Sequence, residues 1–213
     1  MKCGTPHIIA LKGFSNSGKT TTLESIVKFL VQKKNRCAVV KYIHSEEFSI
    51  DQPGKDTWRM RAAGGEPVVS YSNDEIAFLT SKKLDVEQVV CILQFLQPEL
   101  DYIFLEGFWQ NLYPKILFLR SLSDLENIIQ EFLLSPIGNE IFKSSFCFSG
   151  IYFITELNAE GKLRLKLKDL HHGQRINDAL RMHLDSLPII NIKDDPEKFL
   201  DIYRDSQILK KNI

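Results

Sequence analysis

The chain has 213 residues, 44% of them apolar and 25% charged, with 27 basic and 27 acidic side chains and a formal net charge of zero. That is the composition of a globular protein long enough to bury a core. It excludes binding to nucleic acid or to an anionic membrane through bulk charge, so any anion must be held by local geometry. The four cysteines, Cys3, Cys37, Cys91 and Cys147, are scattered without a Cys-x-x-Cys pair, and two lie in apolar runs, as small core residues do. No stretch approaches the ~20 apolar residues of a membrane span, and the N-terminus lacks the pattern of a secretory leader. The expectation is a cytoplasmic protein.

The first element is His7-Ile-Ile-Ala-Leu-Lys-Gly13, a short apolar run ending in glycine that predicts a buried strand. Thr20 to Lys34 carries Leu23, Ile26, Val27, Leu30 and Val31, the spacing of an amphipathic helix. Cys37 to Ile43 is a second β-branched run, so the opening reads as a βαβ unit with parallel strands. Asp51 to Gly65 is charged and rich in glycine, then partly helical. Val86 to Leu96 predicts a helix that stops before Pro98. Tyr102 to Glu106 and Lys115 to Leu119 predict further buried strands, with a helix over Leu125 to Leu134. Late strands are expected at 150–155 and 187–191, and a closing helix from Pro196 to Tyr203. Between them, the alternation from Lys162 to Lys168 predicts a half-buried edge strand with a basic outer face. The fold class is therefore α/β, a mostly parallel sheet with helices on both faces, and residues 1–213 read as one domain.

One motif narrows this class to the P-loop NTPase type and makes residues 1–213 a nucleotide-binding domain. Gly13-Phe-Ser-Asn-Ser-Gly-Lys-Thr20 fits G-x-x-x-x-G-K-[ST] without a mismatch and sits between a strand and a helix. The two glycines let the backbone turn tightly, and N–H groups then face an anion at the positive end of the helix dipole. Gly13, Ser15, Asn16, Ser17, Gly18, Lys19, Thr20 and Thr21 are the expected phosphate-binding residues. Lys19 is expected on the β/γ-phosphate oxygens and the Thr20 hydroxyl on Mg²⁺. A neighbouring strand tip should add a carboxylate, and Glu106, at the end of an apolar run and followed by Gly107, supplies it as a metal ligand or a water-orienting base. Asp101 belongs at the other end of that strand.

Three segments together resemble the molybdopterin-guanine dinucleotide biosynthesis protein B (MobB) family. They are the loop itself with Thr21, then Val40-Lys41, His44, Asp51-Gln-Pro-Gly-Lys-Asp-Thr-Trp-Arg59 and Arg61 to Gly64, and finally Glu106-Gly-Phe108 with Pro114-Lys-Ile116. Their order and spacing cover residues 7 to 120. The resemblance implies a GTP-binding, weakly GTP-hydrolysing and typically homodimeric accessory protein. Its partner is a MobA-like guanylyltransferase that attaches GMP to molybdopterin or its molybdenum- or tungsten-bearing form. It places Asp51 and Asp56 near the γ-phosphate and Mg²⁺, Asp51 with a catalytic or metal role beside Lys19 and Glu106. It makes Lys41, His44, Lys55 and Arg59 the lining of a basic cleft.

The second half departs from the family. Its usual Thr-Asp is Thr155-Glu156 here, the Asn-Lys-x-Asp guanine motif is absent, and Asn191-Ile-Lys-Asp194 has those letters in the wrong order. Glu156 is the expected guanine-reading carboxylate, and 158–186 reads as an insertion. Two other classes use the same loop: a small-molecule kinase, which needs an arginine-bearing lid and an acceptor base, and a non-enzymatic scaffold that binds nucleotide without turnover.

Overall fold

The structure is a computed structural model, and it describes residues 5–45, 48–108, 110–135, 138–150, 157–172, 178–192 and 194–211. The described elements run β1 (His7–Lys12), α1 (Lys19–Gln32), β2 (Cys37–Lys41), α2 (Asp56–Ala62), β3 (Val68–Tyr71), β4 (Ile76–Leu79) and α3 (Val86–Leu96). They continue as β5 (Tyr102–Glu106), β6 (Lys115–Phe118), α4 (Leu122–Leu133), α5 (Gly138–Lys143), β7 (Ser145–Ser149), α6 (Ala159–His172), α7 (Asp178–Ser186) and α8 (Pro196–Lys211). The backbone divides into two compact units, residues 1–42 with 93–213, and residues 43–92.

The larger unit holds a five-stranded sheet in the order β2-β5-β1-β6-β7, with every pairing parallel. Inner strands of such a sheet have no wet face, which is why β5 and β6 are buried along their whole length and read as continuous apolar runs; β7, at the edge, is buried throughout as well and is flanked by the bridge from Phe148 to Ile189. The pleat sends alternate residues to two cores. Ile9, Leu11, Phe104, Ile116 and Phe118 meet Leu23, Ile26 and Leu30 of α1 and Phe199 and Tyr203 of α8. Leu117, Leu119 and Phe148 meet Leu125, Ile128 and Phe132 of α4, Leu163 and Leu167 of α6, and Leu184 of α7. Helices therefore cover both faces, as expected.

Register positions the site. Leu11 and Lys41 are both paired with Glu106, one on each side of β5, so the C-terminal ends of three strands finish level. Asp101 is at the opposite end, where its carboxylate accepts the Arg36 backbone N–H at 2.8 Å.

The expected edge strand over Lys162–Lys168 is corrected: these residues lie within α6. Ala159, Leu163, Leu167 and Leu170 are all buried, at a spacing of four, four and three, while Leu165 is 61% exposed. A period near 3.6 thus outweighs the local alternation, because Ala159 before the run and Leu170 after it continue the helical stripe. The basic residues then fan around a helix instead of lining one strand face. Arg164 donates to the Leu184 and Leu187 carbonyls, and Lys166 pairs with Glu126. The expected strand at 150–155 falls almost wholly outside the described residues; the strand before it is β7. The one at 187–191 is reduced to a bridge between Phe148 and Ile189.

The smaller unit carries α2 and an antiparallel hairpin, β3 with β4, paired Val68↔Leu79 to Tyr71↔Ile76. Ser72 closes its turn: its N–H donates to the Glu75 carbonyl at 2.9 Å, and its hydroxyl accepts from the Glu75 N–H at 3.0 Å. The hairpin was not among the sequence expectations. Its signal is two β-rich runs around Ser72-Asn73-Asp74.

Candidate functional site

The loop from Gly13 to Gly18 connects the central strand β1 to α1. Gly13 is required by close approach, since a Cβ there would stand 2.7 Å from both Phe118 Cβ and the Phe118 carbonyl oxygen. Gly18 has φ 91° and precedes α1 with no side-chain cap, so no side chain competes for the first-turn N–H groups of the helix. Ser17 is fully buried. The Lys19 ammonium folds back on the loop, donating to the Phe14 carbonyl at 2.6 Å. Burial lowers the Lys19 pKa; Glu106 opposes the shift, while Lys12, Lys41 and Arg120 add to it. Each of those three cations is paired with a carboxylate, Lys12 with Glu131, Lys41 with Glu106 and Arg120 with Asp124.

Thr20, Glu106 and Lys41 meet beside it. The Thr20 hydroxyl donates to Glu106 Oε1 at 3.0 Å, and Lys41 Nζ lies 3.3 Å from the same oxygen and 3.4 Å from Thr20 Oγ1. Glu106 is 7% exposed, so the contact places a desolvated carboxylate against the first helical turn. The sequence assignments of Lys19, Thr20, Lys41 and Glu106 thus come together in one place, with the remaining loop residues around them.

Asp51, Lys55, Asp56 and Arg59 belong, with His44, to the smaller unit. Asp51 is engaged there: its Oδ1 accepts from the Thr57 hydroxyl at 2.7 Å, and its Oδ2 is 3.8 Å from Arg61 Nη1. Asp56 and Arg59 form an exposed pair at 3.5 Å, while Lys55 and His44 are exposed. Glu156 lies outside the described residues. Among the described residues no group of three or more His, Cys, Asp or Glu side chains is placed to hold a metal.

Sequence reasoning missed three residues. Lys12, at the end of β1, is 8% exposed and pairs with Glu131 of α4. Arg120, just past β6, reaches the loop, where its Nη1 donates to the Ser15 carbonyl at 3.3 Å. Gly150, with φ 117°, backs onto the loop from the end of β7. Both Arg120 and Gly150 follow a buried strand toward the same end of the sheet as the loop, and that position is the signal that finds them.

A parallel sheet whose central strand runs into a glycine loop and then a helix, with a lysine, a threonine and a strand-end glutamate converging there, defines a P-loop NTPase-type α/β protein. The family model for molybdopterin guanine dinucleotide synthesis protein B matches residues 8–134. The chain belongs to that family. It is 34% identical over 113 residues to the molybdopterin-guanine dinucleotide biosynthesis adapter protein of Haemophilus influenzae, covering 53% of this chain and 63% of that protein. It is 31% identical over 118 residues to the adapter protein of Escherichia coli, covering 53% and 65%. The chain thus spans somewhat under two thirds of the length of these relatives. The crystal structure of Bacillus subtilis MobB superposes with a TM-score of 0.61 at 23% identity, over 95% of this chain and 98% of that one, which establishes the fold.

Proposed function

We propose that the chain binds magnesium–GTP at the Gly13–Thr21 loop, hydrolyses it weakly, and assists a MobA-like guanylyltransferase in attaching GMP to molybdopterin or its molybdenum- or tungsten-bearing form. The observation that carries this reading is the meeting of Lys19, Thr20 and Glu106 at the mouth of the loop in a chain of this family. Lys19 leaves the Phe14 carbonyl to hold the β/γ oxygens, and loop N–H groups cradle the phosphates. The Thr20 hydroxyl and Glu106 would hold Mg²⁺, directly or through water, which suits an ion that takes few protein ligands and completes its shell with phosphate and water, and which would supply charge neutralisation at the phosphate oxygens. Lys41, 3.3 Å from Glu106 Oε1, aims the carboxylate, and Glu106 orients the attacking water. The family resemblance assigns Asp51 and Asp56 to a γ-phosphate and its Mg²⁺, and His44, Lys55 and Arg59 to an anionic pterin or pyrophosphate.

Titration of the protein with GTP and ATP, each with Mg²⁺, tests the reading. GTP is expected to bind more tightly. Glu156→Ala is expected to bring the two affinities together by roughly tenfold to hundredfold, the usual cost of a paired hydrogen-bond contact to a base. An unmoved ratio would assign base recognition elsewhere. Thr20→Ala should weaken binding in Mg²⁺ more than binding without metal. Glu106→Gln should slow hydrolysis more than it weakens binding, whereas equal losses would make Glu106 a binding residue only.

The homodimer is supported by the hairpin. Val69, Tyr71, Ile76 and Phe78 share one face of β3 and β4 through the pairs Val69↔Phe78 and Tyr71↔Ile76, and each is at least 45% exposed. A second copy covering that face removes a contiguous apolar surface from water. Sedimentation should show a dimer that Tyr71→Lys with Phe78→Lys converts to monomer; a monomeric wild-type protein would end this part of the reading.

A further inference from the structure

Arg120 is fixed with unusual completeness for a residue in a connecting loop. Its Nε and Nη2 donate to the two carboxylate oxygens of Asp124 at 2.9 and 2.7 Å, and its backbone N–H donates to the same carboxylate at 2.8 Å. The Asp124 side chain is 1% exposed. The remaining arm, Nη1, donates to the Ser15 carbonyl of the phosphate loop, and the guanidinium carbon lies 5.2 Å from the centre of the Phe14 ring. Lys12 Nζ is 5.5 Å from that ring centre and is paired with Glu131. Asp124 and Glu131 are seven residues apart on α4, two turns along one face. One helix face therefore holds both cations that flank Phe14.

We propose that Arg120 is a positioning residue of the phosphate loop: Asp124 aims its guanidinium at the Ser15 carbonyl and the Phe14 ring, and this sets the loop's donors for the nucleotide phosphates. The peptide linking Ser15 to Asn16 is planar and trans, so fixing the Ser15 carbonyl fixes the direction of the Asn16 N–H on the other side of the same plane. A lysine at 120 keeps the charge and loses both the two-pronged grip on Asp124 and the guanidinium contact with Phe14. The inference rests on the nucleotide reading above. It assigns the Arg120–Asp124 pair a role that capping the first turn of α4 would not give it.

The test is calorimetric titration of Mg²⁺–GTP and of Mg²⁺–pyrophosphate into wild-type protein and the Arg120→Ala, Arg120→Lys, Asp124→Asn and Arg120→Ala/Asp124→Asn variants, with melting temperatures measured in parallel. Arg120→Ala and Arg120→Lys are each expected to weaken both ligands by about tenfold or more and by the same factor, because only the phosphate contacts change. Asp124→Asn should do the same, and the double variant should be no weaker than the poorer single one, since both act through one contact. If Arg120→Ala does not fold, the Lys and Asn variants keep the test intact. Wild-type affinity in Arg120→Lys would overturn the proposal in favour of charge alone. Lowered melting temperatures with unchanged affinities would overturn it in favour of a structural cap. Wild-type protein that binds neither ligand would overturn the nucleotide reading as well, a result distinct from wild-type binding that the variants leave untouched.

Discussion

Lys19→Ala is expected to abolish measurable Mg²⁺–GTP binding while the protein stays folded. Among the described residues the Lys19 side chain donates to the Phe14 carbonyl and the Ser17 hydroxyl, and it belongs to neither apolar core. Its removal ends the burial of a charged amine, the main cause of its lowered pKa, and the repulsion from Lys12, Lys41 and Arg120, against the loss of attraction to Glu106. The folded protein therefore loses little. The bound state loses a charge-assisted contact to phosphate and is left with phosphate oxygens short of a partner, a cost on the order of 2–5 kcal/mol. That is roughly thirtyfold to several thousandfold in affinity. Circular dichroism should overlay with the wild type while titration heats vanish. A folded variant with wild-type affinity would show that this loop is not the nucleotide site.

Gly150→Ala is expected to be the most damaging single-methyl change near the site. A Cβ at residue 150 would stand 2.5 Å from the Leu119 carbonyl oxygen, 2.7 Å from the Leu119 nitrogen and 3.0 Å from the Ser17 carbonyl oxygen. All three are backbone atoms, so no rotamer relieves the clash. The φ of 117° adds strain for any residue with a side chain. Backbone strain of about 1–3 kcal/mol and overpacking of about 1–3 kcal/mol sum to roughly 2–6 kcal/mol. The displaced neighbours are the end of β6 and the loop at Ser17, so nucleotide affinity should fall along with the denaturation midpoint. A variant with both unchanged would mean that the β7 end does not press on the loop.

The central strands and the loop were legible because their signals are local and strong. Buried parallel strands are short apolar runs, and a G-x-x-x-x-G-K-T string between strand and helix is a specific pattern. Glu106 followed from its place at a strand end, and the register of β1, β5 and β2 brings it to Thr20 and Lys41. What was illegible depends on partners distant in sequence. Arg120 gives no sign in its neighbours that it reaches back over a hundred residues to Ser15. Lys162–Lys168 alternates like a strand, and only the flanking Ala159 and Leu170 reveal the helical stripe. The β3–β4 hairpin was overlooked because its apolar residues are largely exposed, so it lacks the contrast between faces that marks a half-buried strand.

The strand order has a consequence for how the chain acquires its shape during synthesis. β1 is made first, yet its neighbours are β5 and β6, whose residues emerge about a hundred positions later. Until Phe118 has left the ribosome, Gly13 has nothing to press against, and until Gly150 follows, Ser17 lacks its backing. Loop closure over such separations is slow compared with local pairing. The hairpin of residues 68–79 needs only its own turn and can form while β1 still waits. The phosphate loop is thus among the first segments translated and among the last to be shaped, so a nascent chain halted before residue 150 carries the whole motif without the binding geometry.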